Sequence, residues 1–133
     1  MSRTTDHIAR WQHNRSFMAS LNDEHADWMV TSAFYAAVHA IGAVFSSDGV
    51  QPPPDHTNRF RVLKTTNRYK NLYLKYSPLF DASLVSRYHC DPSDWVDAVA
   101  VRTNIIPRYL FPLEKSVSKL LGSQAPELPH LSR

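Results

Sequence analysis

The chain has 133 residues, enough to bury one core, and its formal net charge of +3 is too small to impose a partner by itself. Apolar residues make up 43%, which excludes wholesale disorder, and with only three glycines an all-β architecture, rich in tight turns, is excluded as well. Cys90 is the only cysteine, so no intramolecular disulfide can form, and a lone thiol fits the reducing cytoplasm expected for this chain.

Hydrophobic periodicity predicts an all-α antiparallel bundle of four to five helices. A first helix is expected from about Thr5 to Leu21, with Trp11, Asn14, Phe17, Met18 and Leu21 on one side. The opening Met-Ser-Arg-Thr-Thr-Asp lacks the apolar core of a signal peptide. A second helix is expected from near Glu24 to about Ser46. It is uncharged from Trp28 to Phe45, about the length of a membrane span, yet it holds Thr31, Ser32, Tyr35, His39 and Gly42. It therefore reads as the central helix of a bundle, with no membrane partner.

The run from Ser46 through Pro52-Pro-Pro54 must be a loop, and Asp55 is a natural N-cap for a third helix reaching from His56 to about Tyr76. A short fourth segment is expected from after Ser77-Pro78 to about Arg87. A last helix should follow Asp91-Pro92 and run to about Leu121, kinked or broken at Pro107 and weakened again at Pro112. These elements make one domain over residues 1–122, with 123–133 a frayed tail.

Charge is polarised. The stretch from His56 to Tyr76 carries Arg59, Arg61, Lys64, Arg68, Lys70 and Lys75 and no acid; acids gather at Asp23, Glu24 and Asp27 and at Asp91, Asp94 and Asp97. On one continuous helix Arg61, Lys64, Arg68 and Lys75 fall within about 60° of one another, an arrangement that could follow a phosphate backbone or be a merely solvated face. Arg59 differs. It shares the arc of Val62, Leu63, Tyr69 and Tyr73, where a permanent charge needs an acid or an anion. Tyr35 and His39, one helical turn apart, could face His56 and Arg59 and form an acid–base and phosphate-binding cluster. Each histidine taken singly could equally be a hydrogen-bonded core residue. Seven histidines and one cysteine give only His89-Cys90 as a tight pair, so neither a metal nor a cofactor is expected. There is no glycine-rich phosphate loop and no nucleophile elbow.

The ordered set His13-Asn14-x-x-Phe17-x-x-x-Leu21, Trp28-x-Val30-Thr31-x-x-Phe34-Tyr35-x-Ala37-x-His39, His56-x-x-Arg59, Tyr73 and Ser83-x-x-Ser86-Arg87-Tyr88 resembles small bacterial proteins of the HEPN superfamily. The resemblance covers about three quarters of the chain. It implies a helical bundle, a homodimer, and service in toxin–antitoxin or phage-defence systems beside a cognate partner or antitoxin protein. Active members of the family are metal-independent endoribonucleases that use an Arg and a His four to six residues apart near the start of the last long helix. Here Arg102-Thr-Asn-Ile-Ile-Pro107 places proline where that His would stand, and Leu84 replaces a second Arg of the Ser-Arg-x-Ala-Arg-Tyr variant.

Two functions follow as expectations. The first is binding of RNA or a nucleotide, with atypical metal-independent cleavage as its catalytic extension. His39, His56 and Tyr35 would be the catalytic groups. Arg59, Arg61, Lys64, Arg68, Arg87, Tyr88 and Asn14 would be the binding groups. The second is a non-catalytic dimeric adaptor or sensor that docks a partner protein. Arg59 separates them: a phosphate site leaves its charge free of Asp and Glu, whereas a scaffold pairs it.

Overall fold

The computed structural model describes residues 3–92 and 95–128. Every regular element among them is helical, so the all-α expectation holds. The five helices are α1 (Thr4–Ser20), α2 (Ala26–Asp48), α3 (His56–Thr65), α4 (Lys70–Tyr88) and α5, a continuous helix over residues 98–121. Asp94 and residues 129–133 of the expected tail lie outside the described residues. Within 123–128, Leu128 is buried against the core.

α2 is the axis of the bundle. α1, α4 and α5 all pack against it, and Val30, Ala33, Phe34, Ala37, Ala40 and Ile41 are fully buried. Its length and apolarity would suit a membrane span, but 72% of the apolar window is buried inside the bundle, as expected of a core helix. Its buried hydroxyls are satisfied within the helix, Thr31 donating to the Asp27 carbonyl (2.9 Å) and Ser32 to that of Trp28 (2.6 Å). Gly49 then ends it in the left-handed region at φ 74°, where a side chain would be strained.

Three sequence expectations need correction. The single third helix from His56 to Tyr76 does not form. The chain turns extended at Thr66 (φ −105°, ψ 116°), makes a 3-10 turn over Asn67–Tyr69, and only then begins α4. Two successive threonines favour this break, because β-branched side chains crowd a helix and the Thr65 hydroxyl back-bonds to the Arg61 carbonyl at 2.7 Å. The boundary expected at Ser77-Pro78 is absent, since α4 runs through Pro78. The missing N–H would have met the Leu74 carbonyl, and Leu74 lies on the water-facing side, 61% exposed. Nor do Pro107 and Pro112 break the last helix. Residues Val101–Leu110 widen into π-helical turns that carry Pro107 without a break.

On α1 the expected stripe holds at Trp11, which is buried, and at Met18 and Leu21, which pack against the core, but Phe17 is 45% exposed. Arg15 turns inward with Trp11 to Glu114 on α5. The Trp11 indole donates to Oε2 at 2.6 Å, and Arg15 grips the carboxylate through Nε (2.5 Å) and Nη2 (3.0 Å). Glu114 is fully buried. Burial pushes its carboxyl up, opposed by the Arg15 and Trp11 hydrogen bonds. Arg15→Met should cost about 3–5 kcal/mol in urea unfolding, because it strands a buried carboxylate. The double variant Arg15→Met, Glu114→Leu should recover most of that loss; a double variant as unstable as the single one would show that the pair is not what links α1 to α5.

Candidate functional site

Polar groups from α2, α3 and α4 meet around the ring of Phe34. Asp55 caps α3 by accepting from the Asn58 N–H at 2.9 Å, which fixes His56 in the first turn and Arg59 one turn later. The Arg59 guanidinium donates from Nη1 to His56 Nδ1 (2.8 Å) and to the Tyr76 hydroxyl (3.2 Å). Guanidinium can only donate, so Nδ1 of His56 must be the acceptor and its ring proton sits on Nε2. The imidazole is neutral: burial, then Arg59 and Arg87, hold its pKa below the ordinary value against the pull of Asp55.

Arg87 on α4 completes the group. Its Nη1 donates to the Tyr35 hydroxyl at 3.2 Å, and its Nη2 and Nε hold the Ser83 hydroxyl (3.1 Å) and carbonyl (3.2 Å). Its charge lies against the rings of Phe34, Tyr35 and Tyr88 at 5.3–5.8 Å, close enough for cation–π attraction. Among the described residues, neither Arg59 nor Arg87 has a carboxylate within ion-pair distance. Arginines elsewhere do: Arg15 meets Glu114, Arg68 meets Asp48 and Arg102 meets Asp23.

The expected residues therefore divide. Tyr35, His56, Arg59, Arg87 and Tyr88 come together. The basic stripe does not, because the break at Thr66 removes the common helix. Arg61 bonds Asn58 (2.5 Å), Lys64 is exposed on α3, and Arg68 is held bidentately by Asp48 with Tyr69 donating to the same carboxylate. Asn14 is half-buried on α1 and shares no hydrogen bond with the cluster.

His39 faces away from Tyr35, towards His7 of α1. The two Nδ1 atoms are 3.4 Å apart and the ring centroids 5.6 Å. For one Nδ1 to donate to the other, two neutral rings must hold opposite tautomers, and desolvation favours the neutral form of both. Desolvation, followed by His7, Arg10 and Arg59, lowers the pKa of His39 to about 4, and burial also lowers His7. Both line a cavity of about 310 Å³ between α1, α2 and the loop after Gly49, and Arg59 lines it too. Gly42 makes this possible, since a Cβ there would lie 2.7 Å from His7 Nδ1. Sequence reasoning missed His7, Tyr76 and this cavity. The one visible signal was a glycine inside an otherwise unbroken core helix. Among the described residues no group of three or more His, Cys, Asp or Glu side chains is placed to hold a metal ion.

Comparison with protein-family models, with curated proteins and with solved structures finds no match to this chain. Fold and site thus define an all-α bundle with a pair of partly exposed arginines that, among the described residues, have no carboxylate within ion-pair distance.

The three depressed histidines set a pH dependence. Each binds a proton more readily unfolded, at an ordinary value of 6.5, than folded. Stability should be level above about pH 6.5 and fall on acidification towards about pH 4, where His39 also charges in the folded protein. Urea titrations across that window should show His39→Gln with a shallower fall than the parent; equal slopes would mean that His39 does not titrate this way.

Proposed function

We propose that this chain is a HEPN-like module that binds RNA or a nucleotide, with Arg59 and Arg87 meeting the phosphate. One observation carries the reading: among the described residues two half-buried guanidinium groups converge on one cluster and are held there by neutral partners, while Arg15, Arg68 and Arg102 each meet a carboxylate. A buried cation without a counter-charge is costly, and a bound phosphate would remove that cost through charge-assisted hydrogen bonds. The half-exposed Tyr35 and the exposed Tyr88 offer ring faces beside Arg87 on which a base could stack. If cleavage accompanies binding, it is metal-independent and uses His56 and Tyr35 for proton transfer, which touch Arg59 and Arg87 respectively; the Tyr76 phenol also touches Arg59, but burial pushes its pKa up. His39, on the cavity side of Arg59, is not in this set.

A toxin–antitoxin or phage-defence setting, a homodimer and a cognate partner protein belong to the same proposal through the family resemblance. The adaptor reading draws on Trp28 and Trp95, which expose 53% and 64% of their surface and would suit a protein interface.

Binding to a fluorescent single-stranded RNA separates the two. A charged-group hydrogen bond contributes about 1.5–3 kcal/mol, so Arg59→Ala and Arg87→Ala should each weaken binding by roughly tenfold to a hundredfold. Each should flatten the log–log salt dependence by about 0.7. Lys64→Ala and Arg68→Ala should change affinity much less, since one lies away from the cluster and the other is occupied by Asp48. Unchanged binding in both cluster variants, with folding intact by circular dichroism, would transfer the function to the adaptor reading.

A further inference from the structure

The cavity beside Arg59 differs in chemistry from the arginine cluster. Val38, Phe45, Val50, Pro52 and Pro53 give it apolar walls, and none of its lining residues is acidic or a lysine. Among the described residues its polar side chains are the His7–His39 pair, Ser46 and Gln51, with Arg59 as the single charge. Because the two histidines hold opposite tautomers through their Nδ1 atoms, one Nε2 is left as an acceptor and the other as an N–H donor. A neighbouring donor and acceptor against apolar walls match the edge and faces of a flat, uncharged heterocycle. An organic cation would meet Arg59 without a balancing carboxylate, and a purely aliphatic group would leave the imidazole nitrogens unpaired. The arginine that lines the cavity is the one that also binds His56 and Tyr76, so an uncharged pocket adjoins an anion-binding group with one residue common to both.

We infer that this cavity is a base subsite, which takes the heterocycle of a 5′-mononucleotide while Arg59 meets its phosphate. The inference rests on the phosphate-binding reading and adds the second half of the ligand. A cavity of about 310 Å³ accommodates one base and lies at the lower end of the range for small-molecule sites. Gly42 is the steric condition of the subsite, because any larger residue drives His7 out of its position against α2.

Histidine ring NMR of the full chain, titrated with AMP, GMP, CMP and UMP in turn and with ribose 5-phosphate, tests the assignment. At least one mononucleotide should shift the ring signals of His7 and His39 together with His56, whereas ribose 5-phosphate should shift His56 alone. That mononucleotide should bind at least about tenfold more tightly than ribose 5-phosphate, equivalent to about 1.4 kcal/mol. Gly42→Ala, which displaces His7, and Val38→Trp, which fills the cavity, should each bring the two ligands to similar affinity. The second variant keeps the test decisive should the first fail to fold. Mononucleotides that shift only His56, or bind no better than ribose 5-phosphate, overturn the base subsite and leave the phosphate reading standing. No effect of any compound on any histidine overturns both. A mononucleotide that shifts His7 and His39 but not His56, while ribose 5-phosphate shifts nothing, overturns the phosphate reading and, with it, the placement proposed for the whole nucleotide.

Discussion

The ring of Phe34 is the constraint from which the site takes its shape. It is fully buried on α2, and it meets His56 at 5.5 Å, Tyr76 at 5.6 Å and Phe80 at 5.7 Å. Burial of such a side chain contributes roughly 1.5–3 kcal/mol and fixes the spacing of α2, α3 and α4 at one level. The same ring lies 5.5 Å from the Arg87 guanidinium, so its far side faces a cation rather than hydrocarbon. Core packing and charge placement therefore meet in one residue. Arg87, His56 and Tyr76 are held where they are because Phe34 fills the space between them.

The treatment of arginine by the rest of the fold gives that placement its meaning. Glu114 is buried on α5 and gripped by Arg15; Asp48, at the end of α2, holds Arg68 and Tyr69. Asp55 is the carboxylate near His56, and it is turned to the backbone of α3 as its cap, which holds its own pKa down. Acids are thus present in the fold but are directed to helix–helix ties and to a cap. Arg59 and Arg87 receive an imidazole, two phenols and a serine instead. Neutral partners orient a guanidinium without cancelling its charge, so the field in this region stays positive and available to an anion.

Much of this was legible in the sequence, and the failures have physical causes. The all-α class, the core role of α2, the Asp55 cap and the company of Tyr35, His56, Arg59 and Arg87 followed from periodicity, capping chemistry and polar interruptions of apolar arcs. The basic stripe was an error of continuity: it assumed one helix across Thr65-Thr66, where two β-branched residues in succession end it, and every angle computed beyond that point was lost. Pro78 and Pro107 misled in the opposite direction. Helices pass through both because an exposed carbonyl at Leu74 can meet water and because π-helical turns carry the second ring. The partnership of His7 with His39 joins residues 32 positions apart and depends on the space left by Gly42, a tertiary fact with no local pattern. Trp11 and Arg15 reaching Glu114, about a hundred residues away, are of the same kind.

Under the proposed function, Arg59 would connect proton binding to anion binding. His56 anchors it only while Nδ1 is bare, because a protonated ring has no acceptor to offer and adds a second positive charge beside the guanidinium. Acid therefore releases the Arg59 guanidinium from the His56 ring. A phosphate bound as proposed would reverse the balance: its negative charge would favour the imidazolium and supply a new acceptor for the guanidinium. By linkage, whatever free energy the anion gives to protonation of His56, protonation returns to the affinity for the anion. His39, brought down to about 4 first by its own burial, stays neutral until well into acid, so its ring on the cavity side of the arginine keeps a bare nitrogen there. The arrangement places one arginine between His56 and the His7–His39 pair, with no carboxylate within ion-pair distance among the described residues to cancel its charge towards either side.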